Sequence, residues 1–253
     1  MLDMPAYRAL MARLSDRMIP DQFSEGPDGY TVNNLYLDTP DDFFIRNSLR
    51  LPGYKEKLRL RCYGIPDADT NIFFEIKKKI LKRVIKRRAL MTLDKALDFI
   101  DTHEPPRSGA DSQVLGEIAY ILQTFDPKPK VALFYNRKAF YIPGAVEESR
   151  RSTLAEHQDT DLRITFDTHL RARRHTLDFF HGTGGELIIP EDRVLMEVKV
   201  SEAIPLWLAH IFSEMGINSL TFSKYGSEYR QYLRQGYQHG FWDPDEENMR
   251  AEG

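Results

Sequence analysis

Lys55-Glu56-Lys57-Leu58-Arg59-Leu60-Arg61, followed by Phe74-Glu75-Ile76-Lys77-Lys78-Lys79-Ile80, is the stretch on which the fold turns. In it Arg59 and Arg61 alternate with Leu58 and Leu60, and Glu75, Lys77 and Lys79 with Phe74, Ile76 and Ile80. A β-strand sends successive side chains to opposite faces, so each segment has one charged face and one apolar face. Lys55, Lys57, Arg59 and Arg61 share a face of one strand, and Glu75, Lys77 and Lys79 share a face of another. The pattern returns at Lys86 and Arg88, at Arg163, Thr165 and Asp167, and at Glu197 and Lys199. Rows of like charge destabilise a sheet when they oppose each other across strands. Two readings are open on the residues alone. In one, the charged faces look at water, as on an ordinary half-buried antiparallel sheet. In the other, helices cover the apolar faces from outside a curved sheet, and the charged rows line a common cavity for a polyanion. The second reading also gives a use to the Glu-apolar-Lys steps at Glu75-Lys77 and Glu197-Lys199. The carboxylate suits a divalent cation and the ammonium a phosphate oxygen.

Outward from that stretch, strands are predicted at Tyr30–Leu37, Lys55–Tyr63, Ile72–Lys79, Arg83–Leu90, Lys130–Ile142, Asp161–Leu170 and Arg193–Val200. Tyr7, Leu10, Met11, Leu14 and Met18 recur at helical spacing and predict a helix over 5–18, ended by Pro20. A short helix follows the Asp38-Thr39-Pro40 turn, and further helices are predicted from Thr92 as N-cap to Ile100, over Ser112–Phe125, over Pro205–Met215 and over Phe222–Gln235. Ser223 sits at the start of the last one and could donate to phosphate. Gly144–Asp159 reads as a mobile loop, and the acidic residues 241–253 as a frayed tail behind a single domain over 1–240. The strands lack a strict strand-then-helix rhythm, so the expected class is α+β with an antiparallel sheet.

The 253 residues fit one large domain or two small ones, and 42% hydrophobic with 29% charged residues is a globular composition. A net charge of −3 argues against a nucleic-acid binder by bulk electrostatics, so an anion site must come from local clustering. Cys62 is the only cysteine, which excludes an intramolecular disulfide and a thiolate zinc cluster. No stretch approaches the ~18 apolar residues of a membrane span, and the start has no signal-peptide core, so a cytoplasmic protein is expected. The histidines form no HExxH motif; His169 and His175 read as a strand end and a loop. No Walker-type glycine loop is present, and His181–Gly185 reads as a turn. Lys77–Arg88 could serve nucleic acid, but strand periodicity without interleaved aromatics favours phosphate. Trp207 and Phe212 are expected in the core.

These residues, taken in order, resemble the VTC domain, the polyphosphate polymerase domain of the vacuolar transporter chaperone complex and its bacterial relatives. That domain is part of the CYTH-like triphosphate tunnel metalloenzyme superfamily. The resemblance is carried by Leu35-Tyr36-Leu37-Asp38-Thr39-Pro40, Lys57–Gly64, Phe73–Lys79, Lys86-Arg87-Arg88, Tyr135–Phe140, Leu162–Thr168, Leu195–Lys199 and Phe222-Ser223-Lys224-Tyr225. It implies an antiparallel β-barrel tunnel with helices packed outside. It implies phosphate binding by Arg59, Arg61, Lys77, Lys86, Arg137, Arg163, Lys199 and Lys224, with Arg59, Arg61, Lys199 and Glu197 at the reacting groups. Glu197 would be the main ligand of Mn2+ or Mg2+, with Glu75 the weaker candidate because it can pair with a lysine. The implied partners are ATP and inorganic polyphosphate or triphosphate. The implied reaction moves the γ-phosphoryl of ATP onto a phosphate chain. A triphosphatase, or a non-catalytic module binding polyphosphate or inositol phosphate, would use the same parts. One departure stands out. The family opens with a Glu-x-Lys-Tyr strand, whereas Met1–Met4 leads almost directly into a helix, so that first strand is expected to be missing, through a truncated start or a lost wall.

Overall fold

The computed structural model describes residues 1–24, 26–50, 53–81, 83–106, 112–142, 162–201 and 203–238. The predicted loop over 144–159 and tail over 241–253 lie outside the described residues. The strands are β1 (Leu2–Asp3), β2 (Ile19–Pro20), β3 (Tyr30–Asp38), β4 (Tyr54–Tyr63), β5 (Asn71–Ile80), β6 (Arg83–Thr92), β7 (Lys128–Tyr141), β8 (Arg163–Arg173), β9 (Glu186–Leu187) and β10 (Arg193–Lys199). The helices are α1 (Met4–Leu14), α2 (Phe43–Arg50), α3 (Leu93–Thr102), α4 (Ser112–Phe125), α5 (Leu206–Glu214) and α6 (Lys224–Gln238). The class is α+β, as expected. The hydrogen-bonded order is β1-β10-β8-β7-β3-β4-β5-β6, with β2 on β7 and β9 on β8. The order ends on β1 at one side and on β6 at the other among the described residues.

The chain divides into two compact units, through both of which β3, β7 and β8 run. In the first unit β10 pairs antiparallel with β8 and with β1, through Leu2↔Val194 and Asp3↔Arg193. A two-residue strand thus precedes α1 and carries no Glu-x-Lys-Tyr sequence. Asp3 then caps α1, its Oδ1 accepting from the Ala6 backbone N–H at 2.8 Å, with Pro5 in the first turn. Leu10 and Leu14 of α1 and Leu208 of α5 bury themselves against Ile164 and Phe166 of β8 and Val194 of β10. Trp207 and Phe212 pack against that core, as predicted. Each such side chain removed from water contributes roughly 1.5–3 kcal/mol.

In the second unit β4, β5 and β6 form an antiparallel run in which every odd position of β5 opposes an odd position of β4 and an even one of β6. The apolar face carries Leu58, Leu60, Ile72, Phe74 and Ile76, all buried. Phe74 meets Phe99 of α3 edge to face at 5.8 Å. The helices therefore cover the apolar face, and the charged face is the other one. Asp38 ends β3 and starts α2: its Oδ1 accepts from the Thr39 and Phe44 N–H groups and its Oδ2 from the Ile45 N–H. The Tyr225 hydroxyl donates to the same Oδ2 at 2.8 Å, which ties α6 to the start of α2.

Candidate functional site

On β4, β5 and β6 the strand register puts the cations abreast. Lys57 opposes Lys77, which opposes Lys86; Arg59 opposes Glu75, which opposes Arg88. Lys55 and Lys79 form the next pair. Directly opposed side chains stand about 4.5–5.5 Å apart at Cβ, so these charges share one surface. Glu75 is the only carboxylate in those rows. Its Oε2 accepts from Arg59 Nε at 2.8 Å and Nη2 at 2.6 Å, and its Oε1 lies 2.8 Å from Lys86 Nζ. Burial pushes the Glu75 acid constant up, but Arg59, Arg61 and Lys86 outweigh it and hold it near about 2. Arg59 Nη1 also donates to the Tyr36 hydroxyl at 2.9 Å, and Arg61 Nε to Asn34 Oδ1 at 2.9 Å. Asn34 is fixed in turn by donating to the Leu133 carbonyl.

Tyr36 and Lys57 carry the electrostatic signature of this surface. Burial opposes ionisation of the Tyr36 phenol, yet Arg59, Lys57 and Arg61 bring it down to about 8. Burial lowers Lys57 to about 8, with Lys77, Lys55 and Arg59 pushing the same way and Tyr36 against them. Lys57 Nζ donates to Ser223 Oγ at 2.7 Å, and that oxygen also accepts from the Gly226 N–H at 3.1 Å. Ser223 is therefore the N-cap of α6, and Lys224 opens the helix beside it. Gly226 permits the tight cap: a Cβ there would stand 3.1 Å from Ser223 Oγ. Arg174 fastens the helix body. It donates to both oxygens of Glu228, at 2.7 and 3.0 Å, and lies 3.9 Å from the Tyr232 ring centroid.

The first unit holds a second polar group on β7, β8 and β10. Arg137 and Asp167 form a buried two-point pair, Nε to Oδ1 at 2.7 Å and Nη2 to Oδ2 at 2.8 Å. Arg137 Nη2 also lies 3.9 Å from Glu197 Oε2, and Lys199 Nζ lies 3.3 Å from Glu197 Oε1. Lys199 opposes Arg163 and Glu197 opposes Thr165. Arg163 stacks over the Tyr141 ring. Arg163 Nε and Thr165 Oγ1 are buried without a hydrogen-bond partner among the described residues. Buried donors of this kind are costly unless something meets them.

The structure thus brings Arg59, Arg61, Glu75, Lys77, Lys86, Ser223 and Lys224 into the second unit, and Arg137, Arg163, Glu197 and Lys199 into the first. Sequence reasoning missed Tyr36, Asn34, Asp167 and Thr165 as members. Asp167 and Thr165 were visible in the alternation with Arg163, whereas Tyr36 and Asn34 sit in a strand with no charge pattern. As for a metal, no cluster of three or more His, Cys, Asp or Glu side chains suited to an ion occurs among the described residues. Glu75 is committed to Arg59 and Lys86. Glu197 is half-exposed and opposes Thr165 in the strand register; its carboxylate is a hard-oxygen donor of the kind that Mg2+ or Mn2+ takes as part of a shell. Such ions take one or two carboxylates and complete their shell with phosphate oxygens and water.

The VTC domain family matches residues 2–150 and 143–233. This chain belongs to the VTC domain family. The match fixes the scaffold as one of polyphosphate or triphosphate-tunnel type, whose members generally work with a divalent metal. Among solved structures, a Bacillus halodurans protein described as a candidate adenylate cyclase is similar at 14% identity, with a TM-score of 0.47 over 88% of this chain and 90% of that one. No curated protein matches the chain. Among the described residues of this VTC domain, no helix is long and apolar enough to cross a membrane.

Proposed function

We propose that this VTC domain is a cytoplasmic, metal-dependent phosphotransferase that moves the γ-phosphoryl of ATP onto the end of a polyphosphate chain. The observation that supports it most is the row Lys57–Lys77–Lys86, three ammonium groups in register across adjacent strands. Folding alone gains nothing from opposed like charges. A chain of phosphates offsets their repulsion along the whole row.

The roles follow from side-chain chemistry. Arg59 and Arg61 present planar forks that bind two phosphate oxygens at once. Lys77 and Lys86 are point charges that follow a sliding chain. The Ser223 hydroxyl and Lys224 meet a terminal phosphate at the N-terminus of α6, where the helix end also favours negative charge. In the first unit Arg163, Arg137 and Lys199 bind phosphate oxygens, and the unpartnered Arg163 Nε and Thr165 Oγ1 are groups that a ligand satisfies. Glu197 would hold Mn2+ or Mg2+, which supplies charge neutralisation on the transferring and leaving oxygens. Phosphoryl transfer passes through a loose transition state and asks the protein mainly for position and charge, so no general base is needed in this set.

The test is product analysis after incubation of the full chain with ATP and Mn2+. Long-chain polyphosphate with ADP supports the proposal. Release of free phosphate without chains makes the protein a triphosphatase, and binding without turnover makes it a polyanion-binding module; either outcome overturns the polymerase reading.

A further inference from the structure

The cationic segment that starts in the anion site runs on past it. β5 and β6 meet in a hairpin whose tip carries Ile80, Leu81, Val84 and Ile85, all exposed, with Leu81 at 72% and Val84 at 54%. Tyr54 of β4 pairs with Ile80 and is exposed as well. Lys79 and Arg83 are exposed among these apolar residues, and Lys55 lies alongside Lys79. The carboxylates nearest in the strands are otherwise engaged: Glu56 is buried and 3.5 Å from Lys78, and Glu117 meets Arg87 at 2.5 Å. Among the described residues the tip therefore shows water aliphatic groups, one phenol and positive charge.

Neither folding nor the anion site accounts for this composition. Leu81 has φ +54, in the left-handed region where glycine, asparagine or aspartate is the ordinary choice. A leucine there is strained and also unburied. Ile80 and Ile85 share one face of the hairpin and Val84 the other, and exposed apolar residues on both faces of a sheet end are an aggregation hazard unless something covers them. Phosphate has no use for four aliphatic side chains, and a duplex offers them no apolar surface.

We propose that the β5–β6 hairpin tip docks on an anionic lipid bilayer. Ile80, Leu81, Val84 and Ile85 enter the interface, Tyr54 sits at headgroup level, and Lys55, Lys79 and Arg83 meet lipid phosphates. Aliphatic residues ringed by cations with a tyrosine at the boundary are the side chains such an interface selects. The docking surface shares only Lys55 and Lys79 with the charged face, neither of which is given a role in phosphoryl transfer, and it stands whether or not that assignment does.

Sedimentation of the full chain with vesicles tests it, using phosphatidylcholine alone or mixed with phosphatidylglycerol. The chain is expected to bind the mixed vesicles and not the neutral ones. Leu81→Asn with Val84→Ser and Ile85→Ser should weaken that binding by about tenfold or more, and Arg83→Glu should weaken it in the same direction with the apolar tip intact. Titration with tripolyphosphate should give the same affinity in both variants as in the parent, which also shows that they fold. Absence of binding to mixed vesicles overturns the proposal. So does undiminished vesicle binding by both variants, or tip-dependent binding to duplex RNA in a chain that ignores vesicles. Loss of tripolyphosphate binding by the parent protein would instead strike the phosphotransferase reading.

Discussion

Glu75 shows how one residue can be a counter-ion and resemble a ligand. Its carboxylate faces Arg59 and Lys86, and its acid constant falls from 4.5 to about 2. A depressed acid constant means stability that is present above the unfolded value and lost as the pH falls towards the folded one. Acid unfolding should therefore show a Glu75 contribution between about pH 4.5 and 2 that is absent in Glu75→Gln. The same variant should lose roughly 3 kcal/mol in urea unfolding at neutral pH, because Arg59 and Lys86 lose their partner. It should also bind tripolyphosphate more tightly, because the anion no longer competes with the carboxylate. A loss of metal dependence would instead mark Glu75 as a ligand. Glu197→Gln is expected to behave the other way, with most activity and metal dependence gone and folding stability little changed, as turnover against Mn2+ concentration will show. Tyr36 and Lys57 set a pH limit. Above pH 8 Lys57 loses a positive charge and Tyr36 gains a negative one, and both changes weaken anion binding. Tripolyphosphate affinity should fall by roughly tenfold between about pH 7 and 9, and Tyr36→Phe should flatten the decline.

At the scale of elements, α6 earns its place through its ends. Its cap presents Ser223 and Lys224, while Arg174–Glu228 and Tyr225–Asp38 hold its body. Arg174→Ala leaves Glu228 buried without its cation and should cost about 3 kcal/mol in thermal or urea unfolding. Tripolyphosphate affinity should fall with it, since the cap is no longer fixed. The long strands were legible because their alternation spans many residues: β4, β5 and β6 lie within two residues of the predicted bounds. β1 and β9 were not, because two residues carry no period and β1 forms through its partner β10. β8 was predicted to end at Leu170 but runs to Arg173. His169 lies inside it with φ +51, a local break in alternation of the kind found at bulges, and the pattern that continues beyond it was hidden by the break.

For the whole molecule, a net charge of −3 conceals local excesses. On the charged face of β4–β6 cations outnumber carboxylates because strand register stacks them, and no count of residues along the chain reveals that stacking. The like charges of Lys55, Lys57, Arg59 and Arg61 were readable one strand at a time. The partners that orient them, Tyr36 from β3 and Ser223 from α6, come from distant sequence and needed the fold. Family membership and the charge rows bear on one claim, that the charged face of β4–β6 is a polyphosphate site. Lys77 is its cleanest probe, being exposed and opposed by lysines on both sides. Isothermal titration of tripolyphosphate into the parent chain and Lys77→Ala measures that claim. Binding by the parent that weakens in the variant by roughly 1.5–3 kcal/mol is the predicted result; equal affinity in the two proteins, or none in either, would contradict it.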